Sequence, residues 1–110
     1  MKKKVIIIGA GISGLSLAAR LLSKGFNVAV YEKNLSIGGT TNLYVNGDFK
    51  FDLTATISMF IRDYIDVFNY CKKDYSKYFS IIPVKPLYRV HYFDHTCYDF
   101  SNDLASLSAT

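Results

Sequence analysis

The first thirty residues show three successive patterns of hydrophobic positions. Four consecutive β-branched residues, 5–8, are typical of a strand buried on both faces in a parallel sheet. Over residues 13–24 the apolar positions recur every three or four residues, which predicts a helix that Gly25 ends. A second apolar run over 27–32 predicts another strand. The chain is therefore expected to begin with a strand–helix–strand unit whose strands are parallel.

After the loop that follows, the apolar pattern predicts a β-hairpin and then a helix. The apolar segments 43–45 and 49–53 flank Asn46-Gly47-Asp48, a strong signal for a tight turn. From 57 to 71 the spacing changes to three and four, which predicts an amphipathic helix. Residues 74–78 are expected to add one turn.

The last part of the chain predicts a β-ribbon. Residues 87–93 form its first expected strand, Asp94-His95-Thr96 the turn, and residues 97–100 the second strand. Ser101-Asn102-Asp103 offers N-cap residues for a helix that the chain only begins. The fold class expected for these 110 residues is α/β, with a partial Rossmann-like βαβ unit followed by a hairpin, a helix and a ribbon.

Three glycines lie between the first strand and the first helix, in the spacing Gly9-x-Gly11-x-x-Gly14. This spacing permits a tight turn, close approach of a pyrophosphate to the backbone, and packing of the helix on the strand. Free N–H groups at the helix N-terminus, near residues 12–15, attract the anion, and Ser13 is expected to donate its hydroxyl or cap the helix. A role in the turn and packing alone is the alternative for these glycines.

Glu32 ends the second apolar run, where the ribose of a bound dinucleotide would lie. A carboxylate there accepts hydrogen bonds from the ribose hydroxyls and repels a 2′-phosphate, which disfavours NADP. Strand, glycines, helix, second strand and acid occur in the order of a dinucleotide-binding unit, so a dinucleotide site is the leading hypothesis.

Charge and cysteine content argue against several other classes of protein. The formal net charge of +4 is mild, and its lysines are scattered along the sequence. Solvated faces explain it most simply, with an anionic cofactor or a membrane surface as alternatives. No basic and aromatic motif of a nucleic-acid module occurs. Cys71 and Cys97 stand far apart without clustered histidines, so no metal site is expected, and His91 and His95 are interpreted as surface or packing residues.

The lysines at 2–4 and the apolar stretch behind them also resemble a secretion signal. Arg20 interrupts that stretch, and the glycines follow the nucleotide-binding spacing, so the signal interpretation is disfavoured. Arg20 and the glycines also make the stretch a poor transmembrane span. We expect a cytoplasmic location, with peripheral contact at the inner face of the membrane as an open alternative.

The motifs together resemble the N-terminal signature of FAD-dependent oxidoreductases of the amine oxidase and phytoene desaturase type. The resemblance extends over nearly the whole chain and is strongest to bacterial carotenoid desaturases. The segments that carry it are Gly9-x-Gly11-x-x-Gly14, Gly25, Glu32-Lys33, Gly38-Gly39, 47–52, 64–68 and 87–93. It implies FAD as the cofactor, with the second glycine pair near the flavin diphosphate and ribityl group. The cofactor-binding residues that it implies are Gly9, Ala10, Gly11, Ile12, Ser13, Gly14, Glu32, Lys33, Gly38, Gly39 and Thr40.

The resemblance implies a desaturase of an isoprenoid or carotenoid precursor, acting on a small apolar molecule. Residues 1–110 would then be the N-terminal part of an FAD-binding domain in a longer flavoenzyme, and no catalytic residue is assigned. An enzyme similar to flavin amine oxidases is one alternative. A truncated, non-catalytic remnant is another, because Thr40 replaces the family's usual basic residue and Thr54-Ala55 its usual small turn.

Overall fold

A computed structural model describes residues 3–54, 58 and 60–101. The chain divides into two compact units, Met1–Tyr78 and Phe79–Thr110. Two sequence predictions fall outside the described residues: the first position of the predicted second helix, Ile57, and the helix expected after Ser101.

The first unit begins with the predicted strand–helix–strand motif. Strands β1 (Lys4–Ile8) and β2 (Asn27–Tyr31) pair in parallel, with Ile6 opposite Ala29. Helix α1 (Ile12–Ser23) connects them. These bounds confirm the predicted order and lie within one residue of the predicted ones.

Helix α1 ends at a backbone geometry that requires glycine. The N–H of Gly25 donates to the carbonyl of Leu22 at 2.9 Å, and that of Phe26 to the carbonyl of Leu21 at 3.2 Å. This Schellman pattern places the residue after the C-cap in the left-handed region, and Gly25 has φ +86° there. Gly25 thus ends the helix as predicted, one position beyond the C-cap residue Lys24.

The prediction that β1 is buried on both faces is wrong for the described residues. Ile7 is 8% exposed, whereas Ile6 is 58% and Ile8 90% exposed. Side chains alternate between the faces of a strand, and α1 covers only the face that carries Ile7. No described element of this unit covers the face that carries Ile6 and Ile8.

The predicted hairpin follows the loop after β2. Strands β3 (Leu43–Asn46) and β4 (Phe49–Asp52) pair antiparallel. Asn46 is opposite Phe49, which leaves a two-residue turn in which Gly47 has φ +58°. The Asn46-Gly47-Asp48 signal was therefore interpreted correctly.

Helix α2 (Ile61–Tyr70) is shorter than the apolar spacing predicts. Phe60 precedes it with a non-helical backbone, at φ −111° and ψ 58°. An apolar stripe records which side chains can be buried together, whereas a helix also needs its hydrogen-bond ladder, so the stripe extends beyond the helix. A 3-10 turn at Tyr75–Lys77, capped by the side chain of Asp74, confirms the extra turn predicted there.

The two helices of the first unit meet through a cation–π cluster. The Arg20 guanidinium lies 4.8 Å from the centre of the Tyr70 ring. The Lys24 ammonium lies 5.5 Å from the same centre. Since Arg20 lies in the last turn of α1 and Lys24 is its C-cap residue, the C-terminal ends of α1 and α2 lie together.

The second unit contains the predicted ribbon, β5 (Tyr88–His91) and β6 (Cys97–Phe100), paired antiparallel. Across it, the Arg89 guanidinium forms a bidentate ion pair with Asp99, at 2.5 and 2.8 Å. The predicted first strand, 87–93, is longer than β5, because the turn already begins with a bond from the Tyr92 N–H to the Thr96 carbonyl. No helix among the described residues is both long and apolar enough to cross a bilayer.

Candidate nucleotide-binding site

The glycine loop connects the end of β1 to α1 and is fixed against the end of β2. Gly9, with φ +99°, donates its N–H to the Tyr31 carbonyl at 2.7 Å. At Gly14 a Cβ atom would lie 2.1 Å from the Gly9 carbonyl oxygen and 3.4 Å from Ile7 Cγ2. Position 14 therefore has no room for a side chain, in agreement with the packing role that its place in the motif suggests.

The front of the loop is open at Gly11. This residue is the N-cap of α1, and a Cβ built on it would meet no atom within 4 Å. No side chain of the described residues caps the helix, so the N–H groups of its first turn have no side-chain acceptor and can receive an anion. This open space, which a side chain would fill, fits the close approach of a pyrophosphate.

The expectation that Ser13 caps the helix is wrong. A capping side chain must come from the non-helical residue before the first turn, and Gly11 has that place. Ser13 is the second helical residue, and its side chain lines an open groove between α1 and α2. A hydroxyl contact from Ser13 to a ligand stays a prediction.

Glu32 holds the glycine loop, a role that the sequence did not suggest. One carboxylate oxygen accepts the Ala10 N–H at 2.8 Å, and the other accepts the Asn34 N–H at 2.9 Å. These bonds, that from Ala10 first, lower the pKa of Glu32 below its ordinary value. Each oxygen retains a further lone pair, so ribose hydroxyls still have acceptors. The missed signal was an acid at a strand end beside a turn with free N–H groups.

We expect the Glu32→Gln variant to unfold at a lower temperature than the wild type at pH 7, and the difference to fade towards about pH 3. The lowered folded-state pKa means that the carboxylate stabilises the fold above the unfolded value of about 4.5, and this contribution disappears as the pH falls through the folded pKa. Thermal unfolding followed by circular dichroism at both pH values tests it. Asp48→Asn, in the β3–β4 turn, is the control. A deficit of equal size at both pH values would contradict the argument.

The second glycine pair lies directly against the glycine loop. The Gly38 N–H donates to the Ala10 carbonyl at 2.8 Å, and Gly38 forms an isolated parallel bridge with Gly11. Gly39 has φ +61°, and a Cβ there would lie 3.2 Å from Gly11 Cα. The structure therefore brings the first glycine motif, Glu32 and the second glycine pair into one place.

Thr40 and Lys33 complete the set of residues implied by the resemblance. Thr40 lies in the exposed 3-10 turn Gly39–Thr41, where its carbonyl accepts a hydrogen bond from the Thr54 hydroxyl. Thr40 and Thr54, which contact each other, both belong to positions at which the chain departs from the pattern of the resembled family. Lys33 is exposed beside Glu32. The assignment of both residues to a cofactor stays a prediction.

Comparison with known proteins identifies relatives for most of the chain. Residues 7–73, more than half of it, match the family described as NAD(P)-binding Rossmann-like domain. The chain is 38% identical to a 4,4'-diapophytoene desaturase (4,4'-diaponeurosporene-forming) of Staphylococcus aureus strain MRSA252, over 94% of the chain and 21% of that protein. It is 42% identical to the protein of that name from strain Newman, over 84% of the chain and 18% of that protein.

The chain thus spans about a fifth of the length of these relatives. The resemblance inferred from the sequence and the α/β, Rossmann-like fold class are confirmed. Together with the geometry of the glycine loop, the family match supports a dinucleotide as the ligand of this site.

Proposed function

We propose, from the premise that the chain belongs to the family of NAD(P)-binding Rossmann-like domains, that it is the N-terminal part of an FAD-dependent desaturase of an isoprenoid chain. The observation that carries the proposal is that Gly38 and Glu32 both contact the glycine loop at the ends of β1 and β2, Gly38 through its bridge with Gly11 and Glu32 through its bond from the Ala10 N–H. The relatives named as desaturases favour this chemistry over that of other dinucleotide enzymes.

Each part of the site has a proposed role in binding FAD. The N–H groups of Ile12, Ser13 and Gly14 receive the pyrophosphate, and Glu32 accepts the adenosine ribose hydroxyls. The second glycine pair, held against Gly11, approaches the diphosphate and ribityl region. Because the pKa of Glu32 is lowered by the bonds from Ala10 and Asn34, its charge persists at neutral pH and repels a 2′-phosphate.

The chain's own residues bind and orient the cofactor. When bound, FAD accepts the hydrogen removed from the substrate. Glu32 fixes the adenosine end, and the N-terminus of α1 fixes the pyrophosphate, so the position of the reactive ring follows from both. The substrate is a small apolar molecule, and we assign no catalytic residue. Since such a molecule resides in lipid, the proposal includes peripheral contact with a membrane.

A second candidate function is nucleotide binding without turnover. It is favoured by the contact between Thr40 and Thr54, since these residues replace a basic residue and a small turn of the resembled family. Such a protein would bind the adenosine half of the cofactor, and the flavin half would not increase its affinity.

Titration of the purified chain with FAD, ADP and 2′,5′-ADP separates these functions. We expect FAD to bind more tightly than ADP, and 2′,5′-ADP to bind at least about tenfold more weakly than ADP, because the Glu32 carboxylate repels the 2′-phosphate. Glu32→Gln should narrow the difference between ADP and 2′,5′-ADP. Equal affinity for ADP and FAD would favour the non-catalytic alternative, and no saturable binding of any of them would overturn the assignment of the site.

Substrate chemistry is tested in a polypeptide extended to the length of the relatives. Anaerobic addition of an isoprenoid polyene is expected to bleach the absorbance of bound FAD, whereas a primary amine is expected to leave it unchanged. Bleaching by the amine alone would replace the desaturase proposal with an amine oxidase.

A further inference from the structure

The first unit has one end that lies away from the glycine loop. Strand β1 and helix α1 run in opposite directions, so the start of β1 lies near the end of α1. The Asn27 N–H donates to the Lys3 carbonyl at 3.0 Å, which fixes the first residues to this end. The Arg20 guanidinium over the Tyr70 ring brings the end of α2 there as well.

The segments that meet at this end carry many residues with cationic side chains, and we call it the basic end. Its members come from the first residue of β1 and the residue before it, the last turn and C-cap of α1, the residues after α2, and the 3-10 turn that follows. They are Lys3, Lys4, Arg20, Lys24, Lys72, Lys73 and Lys77. The 3-10 turn is held near α2 by the Tyr78 ring, whose centre lies 5.1 Å from that of Phe68. The fold of this unit therefore brings to one end cationic residues that are scattered along the sequence.

The remaining cations described in residues 3–78 are Lys33, Lys50 and Arg62, and they belong to other elements. Among these residues, Asp74 is the acid placed next to the basic end in sequence, and its carboxylate is engaged by the N–H and hydroxyl of Ser76. The basic end thus combines seven cationic residues with one acid next to them in sequence, Asp74, whose hydrogen bonds with Ser76 leave its negative charge in place.

Stabilisation of helix ends explains only part of this cluster. Lysines near the last turn interact favourably with the negative end of the helix dipole, which accounts for Lys24 and Lys72. It does not account for Lys4 at the start of a strand or for Lys77 beyond α2. Arg20 and Lys24 both lie over the Tyr70 ring, so two like charges are held close together. An anionic partner would relieve this repulsion.

We propose that the basic end docks this protein on an anionic lipid surface. Tyr70 and Tyr78 are 42% and 61% exposed between the lysines, and tyrosine is favoured at the headgroup level of membranes. A nucleic acid is the less favoured polyanion, because Arg20 and Lys24 lie over the Tyr70 ring where a base would stack. Docking in this way leaves the glycine loop at the far end from the lipid.

The inference deepens the membrane contact of the proposed function and rests on that part of it, not on the identity of the cofactor. Each lysine near an anionic surface strengthens binding about fivefold, and the attraction decays within a Debye length. The surface therefore predicts lipid binding that depends on both charge position and salt.

Flotation of the full chain with phospholipid vesicles tests the proposal. The probes are vesicles of pure phosphatidylcholine and vesicles in which about a third of the lipid is phosphatidylglycerol. We expect binding to the second kind alone, weakened about 25-fold by the double substitution Lys73→Gln/Lys77→Gln. The matched control, Lys50→Gln/Arg62→Gln, removes the same charge from other elements of the unit and should change binding by less than about threefold.

Three results would overturn the proposal. They are no binding to the phosphatidylglycerol vesicles at low salt, equal losses in the two double variants, and binding to a single-stranded oligonucleotide in preference to the vesicles. FAD titration of the same variants distinguishes failure of the docking proposal from failure of the cofactor assignment. Charge-dependent vesicle binding without FAD binding would remove the cofactor assignment and leave the docking surface standing.

Discussion

Replacement of Gly14 by alanine is expected to destabilise the first unit by about 3 kcal/mol or more, at or above the upper end of the usual cost of overpacking. The added methyl group would lie 2.1 Å from the Gly9 carbonyl oxygen and 3.3 Å from its carbonyl carbon. Both are backbone atoms of the turn that joins β1 to α1, so neither can move without separating the helix from the strand. Urea unfolding followed by circular dichroism measures the loss.

The expected loss of stability in Gly14→Ala is opposite in sign to the change that helix propensity alone would cause. Alanine is favoured over glycine inside a helix by about 1 kcal/mol, so a helix without the contact would gain stability from this change. Gly11→Ala is the matched control, since it adds the same methyl group three residues earlier, where no atom lies within 4 Å. Equal stability of the two variants would show that the close approach of α1 to Gly9 does not limit the residue at position 14.

The elements of the first unit were predictable because each depends on neighbouring residues. A β-branched run, spacing of three and four, and a glycine in the left-handed region at Gly25 specify strand, helix and helix end locally. The hairpin was predictable for the same reason, since Gly47 supplies the positive φ of a two-residue turn. Phe60 shows the limit of this reasoning, because its apolar side chain fits the helical spacing while its backbone does not.

The parts that could not be predicted depend on contacts between distant residues. Glu32 accepts the N–H of Ala10, 22 residues away, and no periodicity records such a bond. Exposure of Ile8 depends on which element covers that face of the sheet, whereas the sequence shows only that the side chain is suited to burial. Topology likewise brings Lys3, Lys24 and Lys73 to one end although they are far apart in sequence.

Gly11→Ala is expected to retain the fold and to weaken dinucleotide binding about a hundredfold. The N-cap backbone at φ −75° and ψ 177° suits alanine, and the added methyl group would point into open space. The free energy of unfolding should therefore change by less than about 1 kcal/mol. That open space is where a pyrophosphate must lie to reach the N–H groups of Ile12 and Ser13. Loss of one or two charge-assisted hydrogen bonds, about 3 kcal/mol in all, corresponds to the expected loss of affinity.

The experiment for Gly11→Ala pairs a titration with ADP and FAD with urea unfolding of the same preparation. Ser16→Ala, one turn further along α1, is the control and should retain both binding and stability. Wild-type affinity in a folded Gly11→Ala protein would mean that the pyrophosphate does not approach the backbone at this loop. Loss of binding together with stability would trace the effect to the loop fold, because Gly11 also bridges Gly38 and lies 3.2 Å from where a Gly39 side chain would begin. Loss of binding alone therefore identifies position 11 as part of the cofactor site.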